Sequence, residues 1–140
     1  MRKQLFHLVF FSVVILIFTS NSANSTESKY LNNQHFMSLS EAENRWGQKD
    51  FSPEEFKKEK ANNRAKMAVS LIKKKQFIGK TSTQVKESLG EFSGHFWSHN
   101  IPTYLIEEGW NQKLDTWQLV FLLDEAGKVK EVKIHKNCCD

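Results

Sequence analysis

The stretch Gly79-Lys80-Thr81-Ser82-Thr83-Gln84-Val85-Lys86-Glu87-Ser88-Leu89-Gly90 carries both ends of a short helix in its own residues. Thr81 offers a hydroxyl to the free amides of the first turn, and Gln84, three residues on, is placed to reach back to the Thr81 amide. Val85 and Leu89 are four apart and share one face, which predicts that they are buried together. Gly90 stands where the chain must leave the helix with a positive φ, a conformation costly for any residue with a Cβ. Whatever this chain folds into must accommodate a capped helix that presents two aliphatic side chains to a core.

Around that helix the rest falls into order. Met1-Arg2-Lys3 followed by an apolar run over residues 5–18 and a small, polar stretch ending at Ala23 reads as a secretory signal, residues 1–23. The run is short for a membrane span, and no Cys near the expected cut is available to carry a lipid. Residues 24–51 read as a flexible N-terminal segment, with a short helical turn over 41–46 started by Ser40 and Glu43 and stopped at Gly47. Ser52-Pro53-Glu54-Glu55 is a strong helix start, and the helix is expected to run to Lys75. Its apolar side gathers Phe56, Met67, Ala68, Leu71 and Ile72, and Asn62-Asn63 weakens its middle.

Beyond Gly90 the pattern changes period. Residues 91–103 form an irregular, aromatic-rich loop containing Gly94 and Pro102. Tyr104-Leu105-Ile106 is a short strand. Residues 116–123 form the main one, with Trp117, Leu119, Phe121 and Leu123 on one face and Gln118, Val120 and Leu122 on the other. Asp124 to Lys128 supplies a hairpin loop with Gly127 free to take positive φ, and residues 129–135 return as a half-buried strand. The expected fold class is α+β: two amphipathic helices on a three-stranded antiparallel sheet, in the order ααβββ, occupying residues 52–140.

The run Arg64-Ala65-Lys66-Met67, Leu71-Ile72, Phe77-Ile78-Gly79-Lys80-Thr81, Gln84-Val85 and Leu89-Gly90 resembles the helical half of small exported SmpA/OmlA-type, BamE-like domains. Tyr104, Trp117-Gln118-Leu119 and Leu123-Asp124 with Gly127-Lys128-Val129 resemble its strands, so the likeness covers about residues 54–135. It implies a fold similar to that of β-lactamase-inhibitor proteins and a role as a binding or scaffolding module of the envelope. One such relative is the accessory lipoprotein of the outer-membrane β-barrel assembly machinery. This chain differs from it in lacking the lipobox Cys, and Glu91-Phe92 stands where a Pro often follows Leu-Gly.

Charge narrows the partners. The formal net charge is +4, and without Arg2 and Lys3 it is +2, too weak to call for nucleic acid. The excess is concentrated between residues 54 and 80, where nine Lys or Arg face three Glu. Such a run is most often a solvated helix face. Its sharper reading is peripheral contact with an acidic membrane surface through Lys73, Lys74 and Lys75.

No arrangement meets the needs of catalysis. Gly79-Lys80-Thr81 looks like the tail of a phosphate-binding loop, but Lys74 stands where that motif needs its first Gly. His95 and His99 are four apart, and His135, Cys138 and Cys139 lie near the end. Gly94 and Pro102 argue against a helix that would align the first pair, so these read as surface histidines on an aromatic loop, with no metal and no cofactor expected. Glu107-Glu108 reads as turn solvation at a strand end. Adjacent Cys138 and Cys139 close no useful loop, so their expected use is an intermolecular disulfide.

The sequence therefore predicts a non-catalytic periplasmic or secreted protein-binding module with a protein partner in the envelope. The candidate contact surface is the open sheet face with the loop aromatics Phe92, Phe96, Trp97 and Trp110. The alternative is a toxin-neutralising immunity protein or an enzyme inhibitor.

Overall fold

The computed structural model describes residues 36–109 and 115–137. The signal segment, residues 24–35 of the expected flexible segment, Trp110, Cys138 and Cys139 lie outside them. The class is α+β, and the described residues form four helices and one open antiparallel sheet of four strands. The order is β1 (Phe36–Met37), α1 (Leu39–Trp46), α2 (Pro53–Lys58), α3 (Ala61–Lys74), α4 (Ser82–Leu89), β2 (Thr103–Glu107), β3 (Thr116–Leu123) and β4 (Val129–Asn137). In space the strands run β1-β4-β3-β2.

The helix with both ends written into its sequence is α4. Thr81 Oγ1 accepts from the Gln84 amide and Gln84 Oε1 accepts from the Thr81 amide, closing the capping box. Val85 and Leu89 are fully buried, and Gly90 leaves at φ 88, ψ −170. That corner of backbone space is open essentially to glycine alone.

Three expectations are corrected in detail. The long helix over 52–75 is two helices. After α2, Glu59 and Lys60 both take extended backbone. Arg64 straddles the break and donates from Nε to the Phe56 carbonyl, satisfying one of the acceptors that α2 leaves free at its end. The bend lets Phe56 and the Ala65 and Ala68 side of α3 enter one core together. Next, α1 is a full helix capped by Ser38, not Ser40, because Ser38 Oγ accepts from the Glu41 amide and the Glu41 carboxylate accepts from the Ser38 amide. Finally, Phe36 and Met37, within the segment expected to be flexible, pair with His135 and Ile134 as a fourth strand.

The core lies between the helices and one face of the sheet, and its centre is a closed circuit of rings. Phe51, Phe56, Tyr104, Phe121 and Phe77 meet edge-to-face in that order, and Phe77 returns to Phe51, with centroids 5.5–6.0 Å apart. Each such contact adds about 0.5–1.5 kcal/mol beyond burial. Tyr104 is buried whole, its hydroxyl donates to the Gly90 carbonyl at 2.9 Å, and burial pushes its pKa well up. The circuit thus ties the end of α4 to the centre of the sheet. Phe51, outside the expected domain, belongs to this core.

Candidate binding surfaces

Three regions hold the residues singled out in the sequence. The first is the loop after α4. Ser93 and Gly94 both donate amides to the Thr103 carbonyl, and the His95 amide donates to Gln118 Oε1 at 2.9 Å. These bonds lay the loop against the sheet face opposite the helices. That face is not open: Gln118, Val120 and Leu122 of β3 are all buried. Phe96 is buried too, its ring 4.9 Å from His135 and 6.3 Å from Phe36. Phe92 is half-buried on Tyr104. Of the expected contact aromatics that the described residues include, Trp97 is the exposed one, 56% open to solvent.

Trp97 is also held under strain. The Ser98 amide donates to the Phe96 carbonyl two residues back, and Trp97 at the centre of this turn has φ 56. Three-residue turns with positive φ are rare, and a bulky residue in one costs on the order of 1–3 kcal/mol. The reversal brings the His95 and His99 rings together, with both residues exposed, their centroids 4.9 Å apart and their planes tilted by 54°. Spacing alone could not show this, because no helix is involved.

The second region is the basic run. Lys73 Nζ reaches Glu43 Oε2 and Gln48 Oε1, both at 3.0 Å, and Lys74 Nζ reaches the Phe51 carbonyl at 3.3 Å. Two of the three lysines expected at an acidic surface thus also tie α3 to the segment before α2. Lys75 ends the helix in left-handed conformation, φ 51, and its side chain is exposed beside the third region.

That region is a notch on the edge of the sheet. The Val129 amide and carbonyl bond to the Lys80 carbonyl and the Gly79 amide at 2.8 Å each, and Met37 pairs with Ile134. Between these two closures no described strand pairs with this outer edge of β4. The Phe121 amide donates to the Pro102 carbonyl, so by alternation Phe121 and Leu119 turn their backbone groups to β2, and Leu122, Val120 and Gln118 turn theirs to β4. Glu131, Lys133 and His135 answer them, which leaves the Val132 amide and carbonyl directed outward, into the gap. Beside the gap is a groove of about 530 Å³ walled by Leu71, Ile72, Phe77 and Ile78, with Lys75 and Lys130 on its lip. A second hollow of about 360 Å³, under Met37 and Leu39, shares Ile72 and Val132 with it. Ile78 is 44% exposed, an aliphatic side chain that the fold itself does not cover.

Glu107 is no solvated turn residue. Its carboxylate takes Arg45 Nη2 at 2.5 Å, Arg45 Nε at 3.3 Å and the Trp46 indole N–H, clamping the end of α1 to β2. Partial burial alone would raise its pKa, but the Arg45 and Trp46 bonds outweigh that and hold it below the ordinary range. Trp46 and Trp117 pack edge-to-face at 6.0 Å beside this pair. Trp117, on the same face of β3 as Leu119 and Phe121, thus packs at the core's margin.

Among the described residues, no group of three or more His, Cys, Asp or Glu is placed to hold a metal ion. No described helix is long and apolar enough to cross a membrane. No family model matches the chain, and no curated protein or solved structure matches it significantly.

Proposed function

We propose that this protein is a non-catalytic protein-binding module of the cell envelope, and that the notch beside β4 receives an extended segment of its partner. The observation that carries the reading is the coincidence of two kinds of unmet capacity at one place. Val132 directs an amide and a carbonyl into a gap bounded by paired backbone on both sides. Immediately beside it, Ile72, Ile78 and Leu71 line an open apolar groove. A strand entering the gap satisfies the first and buries the second, which is the physical basis of recognition by strand addition. Lys75 at the lip favours a segment with an acidic residue next to its apolar one. The gap is short, so the mode suits a brief contact anchored by one or two side chains.

The signal-like start and the resemblance to BamE-like domains agree with a place in the periplasm or outside the cell. The test is photo-crosslinking in the native envelope from a reactive residue at position 78, with the exposed hairpin position 125 as control. A partner captured at 78, not at 125, and lost when Lys75→Glu is added, supports the reading. Equal capture at both positions, or none at 78, overturns it. A single soluble toxin or enzyme captured at 78, with its activity blocked, moves the role to inhibition or immunity.

A further inference from the structure

The loop that carries Trp97 holds a second feature, independent of the notch. We infer that His95 and His99 form a two-histidine site for a borderline divalent cation, Cu²⁺ before Ni²⁺ or Zn²⁺, with water completing the coordination. The distance between the rings is the first argument. A metal–imidazole bond of about 2.0–2.1 Å puts each ring centre roughly 3.2 Å from the ion, and ligand angles of about 90–110° then separate two ring centres by about 4.5–5.2 Å. The His95 and His99 centroids are 4.9 Å apart, with planes tilted by 54°.

The second argument is that the backbone holds the pair in this relation. The His95 amide is fixed to the buried Gln118 side chain, and two residues later the strained turn at Trp97 reverses the chain. On the far side the Asn100 amide donates to Ser98 Oγ, and the Asn100 carbonyl accepts from Ser82 Oγ on α4 at 2.8 Å. His95 and His99 are thus each next to an anchored point, one on β3 and one on α4. With both residues carried on one anchored turn, the second metal bond is intramolecular, so the pair binds more tightly than two separate histidines. The ranking of cations follows from imidazole ligation and the usual order of divalent affinities. Both side chains are exposed, so the ion has access and room for water.

Trp97, between the two ligands in sequence, supplies the readout. Titrating Cu²⁺ into the purified full chain should quench indole emission at one equivalent, and a Trp97→Phe variant should lose most of that quenching. Electron paramagnetic resonance of the one-equivalent sample should show imidazole nitrogen coupling. His95→Asn and His99→Asn should each weaken binding by about tenfold or more, because either change removes the chelate. A Cys138→Ser/Cys139→Ser variant should bind as the parent does, and circular dichroism should show that all variants fold. Three results would each overturn the site: single His variants that bind like the parent, single variants that merely halve the stoichiometry, and loss of binding in the cysteine variant alone.

Discussion

Replacing Gly94 by Ala should damage this fold more than its place in an exposed loop suggests. An ideal Cβ at Gly94 would come closer to Gln118 Oε1 than real Cβ atoms ever do, and would stand 2.8 Å from Thr103 Cγ2. Neither neighbour is the loose end of a surface chain, since Gln118 and Thr103 are both buried. Gln118 cannot swing aside freely, because its Oε1 is the acceptor for the His95 amide. Overpacking of this kind costs about 1–3 kcal/mol, and a lost hydrogen bond adds about 1 kcal/mol. Against this, removing a glycine from the unfolded chain gains about 0.4–1 kcal/mol. The net expectation is a loss of about 1–3 kcal/mol, or roughly 5–20 °C in Tm for a domain of this size. Urea titration of parent, Gly94→Ala, Gln118→Ala and the double variant measures it. Gly94→Ala should cost less in the Gln118→Ala background, where the closest clash is gone, with a coupling of about 1 kcal/mol or more. A Gly94→Ala protein that melts within a degree or two of the parent, or a double variant that is simply additive, refutes the packing described here.

Leu89→Ala should destabilise by about 2–5 kcal/mol in the same assay, since Leu89 is fully buried. Gly90→Val should be harmful for another reason: it meets Lys57 Cγ at 3.2 Å and cannot adopt φ 88 cheaply. The third expectation concerns acid. Glu107 has a lowered pKa in the fold, so the stability it contributes is present above the ordinary carboxylate range, about 4.5, and is lost as pH falls through its folded value. Glu107→Gln should flatten the fall in Tm below about pH 4.5 and lower Tm at neutral pH. An unchanged acid limb would show that the Arg45 clamp contributes nothing.

What could be read from the sequence was what its neighbours in sequence determine. The capping box of α4, the Pro53 start of α2, and the β3–β4 hairpin with Gly127 at φ 72 all rest on residues within five of one another. The break at Glu59 and Lys60 was harder, because no Pro or Gly marks it and its stabiliser, Arg64, acts through tertiary geometry. β1 has two residues and so no period to detect. Glu107 finds Arg45 and Trp46 more than sixty positions away, and no local pattern reports such a partner. The aromatic loop shows the limit most sharply. Phe96 and Trp97 are adjacent and chemically alike, yet one is buried and the other is the most exposed large apolar residue described. Their fates are separated by the turn that Ser98 closes. Nothing in Gly94-His95-Phe96-Trp97-Ser98-His99 announces that turn, because the residue at positive φ is a tryptophan and not a glycine.

That choice of residue bears on function. A glycine at position 97 would relax the turn, and a leucine or methionine at position 118 would fill the sheet face without a buried amide. Instead the chain keeps Trp97 at φ 56, and Gln118 with its Nε2 buried and without a hydrogen-bond partner, a cost of about 1–3 kcal/mol. The two costs are linked. Gln118 Oε1 holds the His95 amide on one side of Trp97, and Ser82 Oγ holds the Asn100 carbonyl on the other. A loop needed only to cover the sheet could do so through Phe96 alone, with the tip free. Holding the tip rigid serves stability poorly, and it serves well a site in which two imidazoles must keep a fixed separation beside an exposed indole. Local rules broken together, at one place and at a shared cost, are what a site under functional demand is expected to show.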